Sequence, residues 1–275
     1  MTKNSSQHLD SPNLKLICPD DISSTNGLLS SDSQDAADGS VRKGMRGYWI
    51  TTFVLAGLSL IALSFDRTLS EPDNLQHLPG DLKRFVSLSE LFAHGFGIAV
   101  VGLGIWLLVK EKRRFIPRII MCAAWPPMAV HLVKMMVGRN RPINYFEEDK
   151  IAHYPVEMTD SWVGLFPRNE FNLIYDTQSF PSGHTATAWG LAIGLSWVFP
   201  KGRWLFFGIA LLASIQRVTS FAHWSSDVFA GAAIAFMMAG ALTHNWGFGY
   251  YFGKFENRKT LAAESNENEL LEKVA

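Results

Sequence analysis

The sequence predicts an all-α, polytopic membrane protein, a bundle of six transmembrane helices with both termini in the cytoplasm. Three observations carry that reading. Long apolar runs recur along the chain with almost no charge inside them, Lys and Arg gather in alternate connecting segments, and the remaining charges cluster at span ends on the other side. The 275 residues are 48% apolar with a formal net charge of +0, so no global basic field exists and nucleic acid is excluded as a partner.

Residues 1–44 are rich in Ser, Asp and Asn. They carry too little apolar surface to offset the entropy of ordering, which predicts a disordered tail. A first apolar run this far from Met1 also argues against a cleavable signal peptide. The six-span domain is expected over 45–250, with a second polar tail over 251–275. Tyr48 to Phe65 carries no charge, and Leu91 to Val109 carries only His94 as a titratable group. Ile119 to Val137 is interrupted by His131 and Lys134, with Pro126 and Pro127 as an expected kink. Thr185–Phe199, Trp204–Ile215 and Val228–Thr243 follow. A hydrocarbon core of about 30 Å asks for about 20 helical residues. The first three runs meet that length, and the last three meet it with their ends in the interface. Trp49, Trp106, Trp197, Trp204 and Trp224 fall near span ends, where indoles settle. A buried soluble helical bundle is the competing reading, and the long charge-free runs weigh against it. Cys18 and Cys122 stand in a polar tail and an apolar run, so neither a disulfide nor a zinc site is expected.

Orientation follows from the basic residues. Arg42, Lys43 and Arg46 precede span 1, and Lys110, Lys112, Arg113 and Arg114 separate spans 2 and 3. Lys201 and Arg203 separate spans 4 and 5, while Lys254, Arg258 and Lys259 follow span 6. These segments belong on the cytoplasmic side. The 66–90 loop, the 138–180 loop and the 218–223 turn then face outward.

The outer ends of three span pairs carry the chemistry. Lys134 and Arg141 with Pro142 read K-x6-R-P, and residues 181–184 read Pro-Ser-Gly-His. Arg217, five residues, His223, three residues and Asp227 complete the set. Singly, each charge has a bland explanation as a snorkelling or interfacial residue; together, three cations, two histidines and a carboxylate on one face are hard to explain structurally. In order and spacing they closely resemble the three signature motifs of the PAP2 (phosphatidic acid phosphatase type 2) superfamily. The motifs span 134–227, the six-span pattern extends the resemblance over about 46–248, and the tails are not covered. One position departs: Gln216 stands where the family usually has Ser.

The resemblance implies a lipid phosphatase working through a phosphohistidine. His223 and Asp227 are four apart and share a helical face, so the carboxylate can accept one imidazole N–H and leave the other nitrogen to attack phosphorus. His184 is the family's candidate general acid. Lys134, Arg141 and Arg217 would hold the phosphate oxygens, and the backbone N–H groups of Ser182 and Gly183 would meet an oxyanion at a helix start. With three cations available, no metal and no other cofactor is expected, and no carboxylate cluster suits Mg²⁺.

Other positions receive plainer readings. Arg139 and the acidic run Glu147 to Asp149 are expected to be solvated loop charges, and Glu90 with His94 to share a local hydrogen bond. The 143–180 loop, with Tyr145, Phe146, Tyr154, Trp162 and Phe166, is expected to form a partial lid that selects the headgroup. The expected activity is metal-independent hydrolysis of a lipid phosphate monoester or pyrophosphate on the extracytoplasmic face. A lipid phosphotransferase using the same phosphoenzyme is the alternative, and a non-catalytic membrane lipid binder a more distant one. Vanadium haloperoxidases share the constellation but are soluble, against the six apolar runs. The bilayer and a membrane lipid phosphate are the expected partners. The lipid stays open among undecaprenyl pyrophosphate, phosphatidylglycerol phosphate, phosphatidate and lipid A phosphates.

Overall fold

A computed structural model describes residues 29–70, 79–143, 161–165, 178–244 and 248–257. The chain divides into two units, Met1–Arg42 and Lys43–Ala275. Most of the first unit, most of the expected lid, including Tyr145, Tyr154 and Phe166, and the end of the C-terminal tail lie outside the described residues.

The first helix, α1, is Leu29–Leu63, so helix begins inside the segment whose composition predicted a tail. A short α2 (Asp66–Leu69) follows. Then come α3 (Gly80–Leu88), a 3₁₀ turn over Ser89–Ala93, and α4 (Gly95–Leu108). The two helical stretches on either side of His94 meet at 73°, so the second apolar run is bent where a straight span was expected. After the basic 3₁₀ turn Lys110–Phe115, α5 (Ile116–Met136) carries Pro126 and Pro127 inside it. The remaining long helices are α6 (Gly183–Val198), α7 (Arg203–Thr219) and α8 (Ser225–Thr243).

The packing centre is α6. From Thr185 to Val198 nearly every residue is buried, between α5, α7 and α8. Small residues make this possible, since an apolar solvent gives little drive for helices to associate and close backbone approach supplies the dispersion instead. Ala188, Ala192, Ala210 and Ala213 line the α6–α7 seam. Gly190 sits against the Cys122 carbonyl of α5, and a Cβ there would overlap that oxygen. The outward faces are the reverse of a soluble protein's. Phe53, Leu60, Leu103, Leu108, Met128 and Leu132 all stand exposed on α1, α4 and α5, an apolar display suited to lipid.

Among the described residues, three helices are long and apolar enough to cross a membrane, Met45–Leu63, Lys110–Met136 and Ser225–Thr243. The bent pair on either side of His94 makes a fourth if it is counted as one broken span. With 16 and 17 residues, α6 and α7 fall short of the length a bilayer asks for on their own.

Two further features depart from the sequence expectation. First, the all-helical plan is broken by a two-stranded antiparallel sheet, β1 (Val137–Arg139) against β2 (Trp162–Leu165). β1 continues directly from α5, and the pairing sets residues 162–165 beside it. Second, the boundary drawn at residue 250 cuts a helical segment over 248–257. Glu256 on that segment forms a buried two-pronged pair with Arg118 of α5, at 2.9 and 2.8 Å. Arg118 also donates to the Leu242 and Gly249 carbonyls, satisfying the end of α8. Cys122 is buried and free, and Cys18 lies outside the described residues.

Candidate active site

The C-terminal ends of α5 and α7 and the N-terminal ends of α6 and α8 converge at one end of the bundle. An open cleft of about 330 Å³ lies there, lined by Lys134, Arg141, Gly183, His184 and His223 among others. Five of the eight residues nominated from sequence therefore share one cavity, although they come from three separate segments. Pro127, Val130 and Thr187 supply apolar wall, and His131 and Gln178 also line it.

The two cations of the first motif are held by carbonyls. Lys134 donates to Gln178 O at 2.6 Å, and Arg141 donates to Ala222 O at 3.0 Å. Both contacts tie the motif to neighbouring loops and fix the ammonium and guanidinium at the cleft wall.

His223 is buried in the turn between α7 and α8, where Phe221 takes a left-handed φ of 54°. That turn folds back on α7, with the Ala222 and His223 N–H groups both donating to Arg217 O. Burial pushes the His223 imidazole down to about 4, helped by the charges of Lys134 and Arg141, while Asp227 opposes the shift. The ring is thus neutral near pH 7, the state a nitrogen nucleophile requires. Its Nδ1 faces Asp227 Oδ2 at 3.6 Å, an ion-pair distance too long for a hydrogen bond, and is otherwise without a hydrogen-bond partner.

Asp227 is the third residue of α8 and wholly buried. Its carboxylate accepts from the Trp224 N–H at 3.0 Å, capping the helix, from Ser179 Oγ at 2.5 Å and from Arg139 Nη1 at 2.5 Å. The last contact corrects the reading of Arg139 as a solvated loop charge. Arg139 is 1% exposed, because β1 carries it inward beneath the rings of Trp162 and Trp224. It bridges two buried carboxylates, Asp227 and Asp66, the latter at 2.6 Å from Nη2. Asp66 in turn accepts the Ser226 N–H at 2.9 Å. Trp224 is corrected as well. It is fully buried and donates Nε1 to Asn140 O at 2.7 Å, so it is structural and not an interfacial anchor.

The Pro-Ser-Gly-His segment opens α6 as expected, with Ser182 as N-cap accepting from Thr185 N at 3.4 Å and Thr185 Oγ1 at 3.0 Å. The two backbone donors expected to meet an oxyanion differ in their surroundings. The Ser182 N–H donates to the Asp227 carbonyl at 2.9 Å, and Ser182 is buried behind the cleft, so Gly183 alone of the pair lines it. Gly231 of α8 packs on the Ser182 carbonyl, where any Cβ would collide. The absence of a side chain at that position is what lets α6 and α8 meet.

Arg217 is brought near but does not line the cleft. Its Nη2 pairs with Glu90, and its Nε donates to Gln216 Oε1 at 2.5 Å. Gln216 Nε2 donates to the other Glu90 oxygen at 2.9 Å, so the residue that departs from the family pattern joins Glu90 and Arg217 into one unit. The Glu90–His94 contact expected from spacing is present at 3.3 Å, and the His94 ring meets His184 edge-on at 4.8 Å between centroids.

Sequence reasoning missed Asp66, Ser179, Arg139 as a site residue, and the Glu90–Gln216 link. Arg139 and Ser179 contact Asp227 directly, while Asp66 binds Arg139 and Ser226 across 73 and 160 residues of chain, and no local spacing reports such pairings. A signal did exist for Arg139: an arginine beside Arg141 that directly follows an apolar span is poorly placed to be free in solvent.

Residues 118–249, just under half of the chain, match the PAP2 superfamily. Two curated relatives are each described as lipid A 1-phosphatase. The one from Rhizobium etli is 29% identical over 106 residues, covering 38% of this chain and 39% of that protein. The one from Rhizobium johnstonii is 29% identical over 106 residues, covering 38% of this chain and 37% of that protein. The match therefore spans well under half the length of either relative. A crystal structure of LpxE from Aquifex aeolicus aligns over 66% of this chain and 93% of its own, with 21% identity and a TM-score of 0.45.

Proposed function

We propose that the protein is a lipid phosphatase that hydrolyses a phosphate monoester or pyrophosphate through a phosphohistidine. The observation that carries this reading is the single cleft holding Lys134, Arg141, Gly183, His184 and a neutral, buried His223. The match to the PAP2 superfamily over 118–249 supports the phosphatase class.

In the proposed reaction the phosphate sits between Lys134 and Arg141, with the Gly183 N–H as a further donor. His223 Nδ1 faces Asp227, which leaves Nε2 to attack phosphorus. A P–N bond forms as the P–O bond to the lipid breaks, and His184 delivers a proton to the departing oxygen. Water then attacks the phosphohistidine, His184 accepts its proton, and inorganic phosphate leaves. Arg217 reaches the phosphate by exchanging its Glu90 partner for a phosphate oxygen. Arg139 and Ser179 hold Asp227 in place throughout.

The six-span topology with cytoplasmic termini and an outward-facing cleft belongs to this proposal. The basic residues at Lys110–Arg114, Lys201 and Arg203 lie at the helix ends opposite the cleft, in keeping with the positive-inside rule. On this reading α6 and α7 complete their spans with interfacial residues. The names of the two curated relatives make the 1-phosphate of lipid A the first substrate to try.

Purified protein should release inorganic phosphate from one member of a panel of lipid A, phosphatidylglycerol phosphate, phosphatidate and undecaprenyl pyrophosphate, without an added acceptor. His223→Ala should remove that activity while remaining folded. Release only in the presence of an acceptor lipid would favour the phosphotransferase, and normal release by His223→Ala would overturn the mechanism.

A further inference from the structure

Glu90, His94 and His184 bring one ligand atom each to within 4.8 Å of one another, on the flank of the cleft. Two imidazoles and a carboxylate form a donor set suited to zinc and its transition-metal neighbours, and unsuited to Mg²⁺ or Ca²⁺, which take mostly oxygen ligands. Tetrahedral zinc with bonds of about 2.0–2.1 Å places its ligand atoms about 3.4 Å apart. One pair, His94 Nε2 and Glu90 Oε1, already stands at 3.3 Å. The His94 and Glu90 side chains are 49% and 32% exposed, which leaves both room to rotate towards a shared ion.

The carboxylate is also oriented from behind. Gln216 Nε2 holds Glu90 Oε2 at 2.9 Å, the kind of outer contact that aims a metal-binding carboxylate. That contact depends on an amide with the reach of glutamine, and the serine usual for the superfamily is too short to make it.

We propose that Glu90, His94 and His184 form a binding site for a divalent transition-metal ion of the zinc type, and that an ion held there inhibits the enzyme. The inhibition rests on the phosphatase reading, in which His184 carries the proton to the leaving group. A metal on the His184 ring takes the lone pair that this proton transfer needs. It also draws Glu90 away from Arg217, placing a second positive charge beside the guanidinium. Three protein ligands leave a fourth position for water, and His184 opens onto the cleft, which gives the ion a route in.

The test uses the full-length protein in detergent micelles. Co²⁺ is titrated and followed by visible absorption, Zn²⁺ is titrated by calorimetry, and phosphate release is measured in parallel with added Zn²⁺. The expected result is saturable one-to-one binding, loss of phosphate release on Zn²⁺ addition and its recovery with EDTA. His94→Ala, and His94→Asn as a second form in case the first is unstable, should weaken binding at least about tenfold and raise the inhibitory Zn²⁺ concentration as much, because one of three ligands is gone. Basal turnover should be kept in both. Absence of saturable binding, or equal binding and inhibition in the His94 variants, would sink the proposal. Metal binding by a protein with no phosphate release on any lipid would leave the site standing and defeat the phosphatase reading instead.

Discussion

Replacing Arg139 with Ala would test the network behind His223, the proposed nucleophile, most directly. Arg139 is buried and makes three charge-assisted contacts, to Ser226 Oγ at 2.7 Å, Asp227 Oδ1 at 2.5 Å and Asp66 Oδ2 at 2.6 Å. Removing it leaves two buried carboxylates facing each other with no cation between them. Breaking a buried pair by deleting one partner costs about 3–5 kcal/mol, and here one deletion strips both acids. Against a total stability of about 5–15 kcal/mol, that is a large share. Loss of the Asp227 anchor should also lower kcat, since Asp227 would no longer hold its place beside His223. Asp66→Asn is the milder partner. A double-mutant cycle between Arg139 and Asp66 should give a coupling of about 1–3 kcal/mol. The assay is thermal unfolding in micelles alongside phosphate release. An Arg139→Ala protein with wild-type melting and turnover would refute the reasoning and return Arg139 to the role of a solvated loop charge.

Other expectations follow from single contacts. Gly231→Ala drives a Cβ into the Ser182 carbonyl, so it should cost about 1–3 kcal/mol by overpacking and reduce kcat by displacing the turn that carries His184; unchanged unfolding and rate would count against that close approach. Gln216→Ser removes the amide between Glu90 and Arg217. It should change KM for the lipid by freeing the guanidinium, with kcat moving less, and an identical KM would show that the link is idle. The pH profile has a defined sign. His223 falls from 6.5 to about 4 on burial, so the acid limb of kcat/KM assigned to it should lie near pH 4 and not near 6.5. The unfolded chain protonates this residue first. Its contribution to stability is therefore intact above about pH 6.5 and declines as pH falls towards 4. A kcat/KM limb near 6.5 that stayed in place in a Lys134→Met variant, which removes a charge that lowers the His223 value, would place the titration elsewhere.

How much was legible beforehand differs between fold and site. The apolar runs that became α1, α4, α5 and α8 were plain, because lipid-facing helices need no polar face and show as uninterrupted stretches. The bend at His94 and the β1–β2 pair were not, since both depend on where the chain goes after leaving the bundle. Of the nominated site residues, Lys134, Arg141, Gly183, His184 and His223 meet in one cleft, with Asp227 behind His223. Arg217 arrives beside them but is turned towards Glu90. Ser182 caps its helix with a side-chain oxygen and gives its N–H to α8.

The sequence by itself singled out the residues that the structure then gathers at one end of the bundle. Motif order, spacing and the ends of apolar runs are local properties, and a charge at the edge of a bilayer is too costly to be placed without reason. Only the tertiary structure decided who partners whom. Asp66, Arg139, Ser179 and Asp227 come from four distant segments, as do Glu90 and the pair Gln216 and Arg217 from two, and each buried charge finds its counter-charge only once the helices pack. Desolvation makes those pairings obligatory, yet it leaves the choice of partner to the fold.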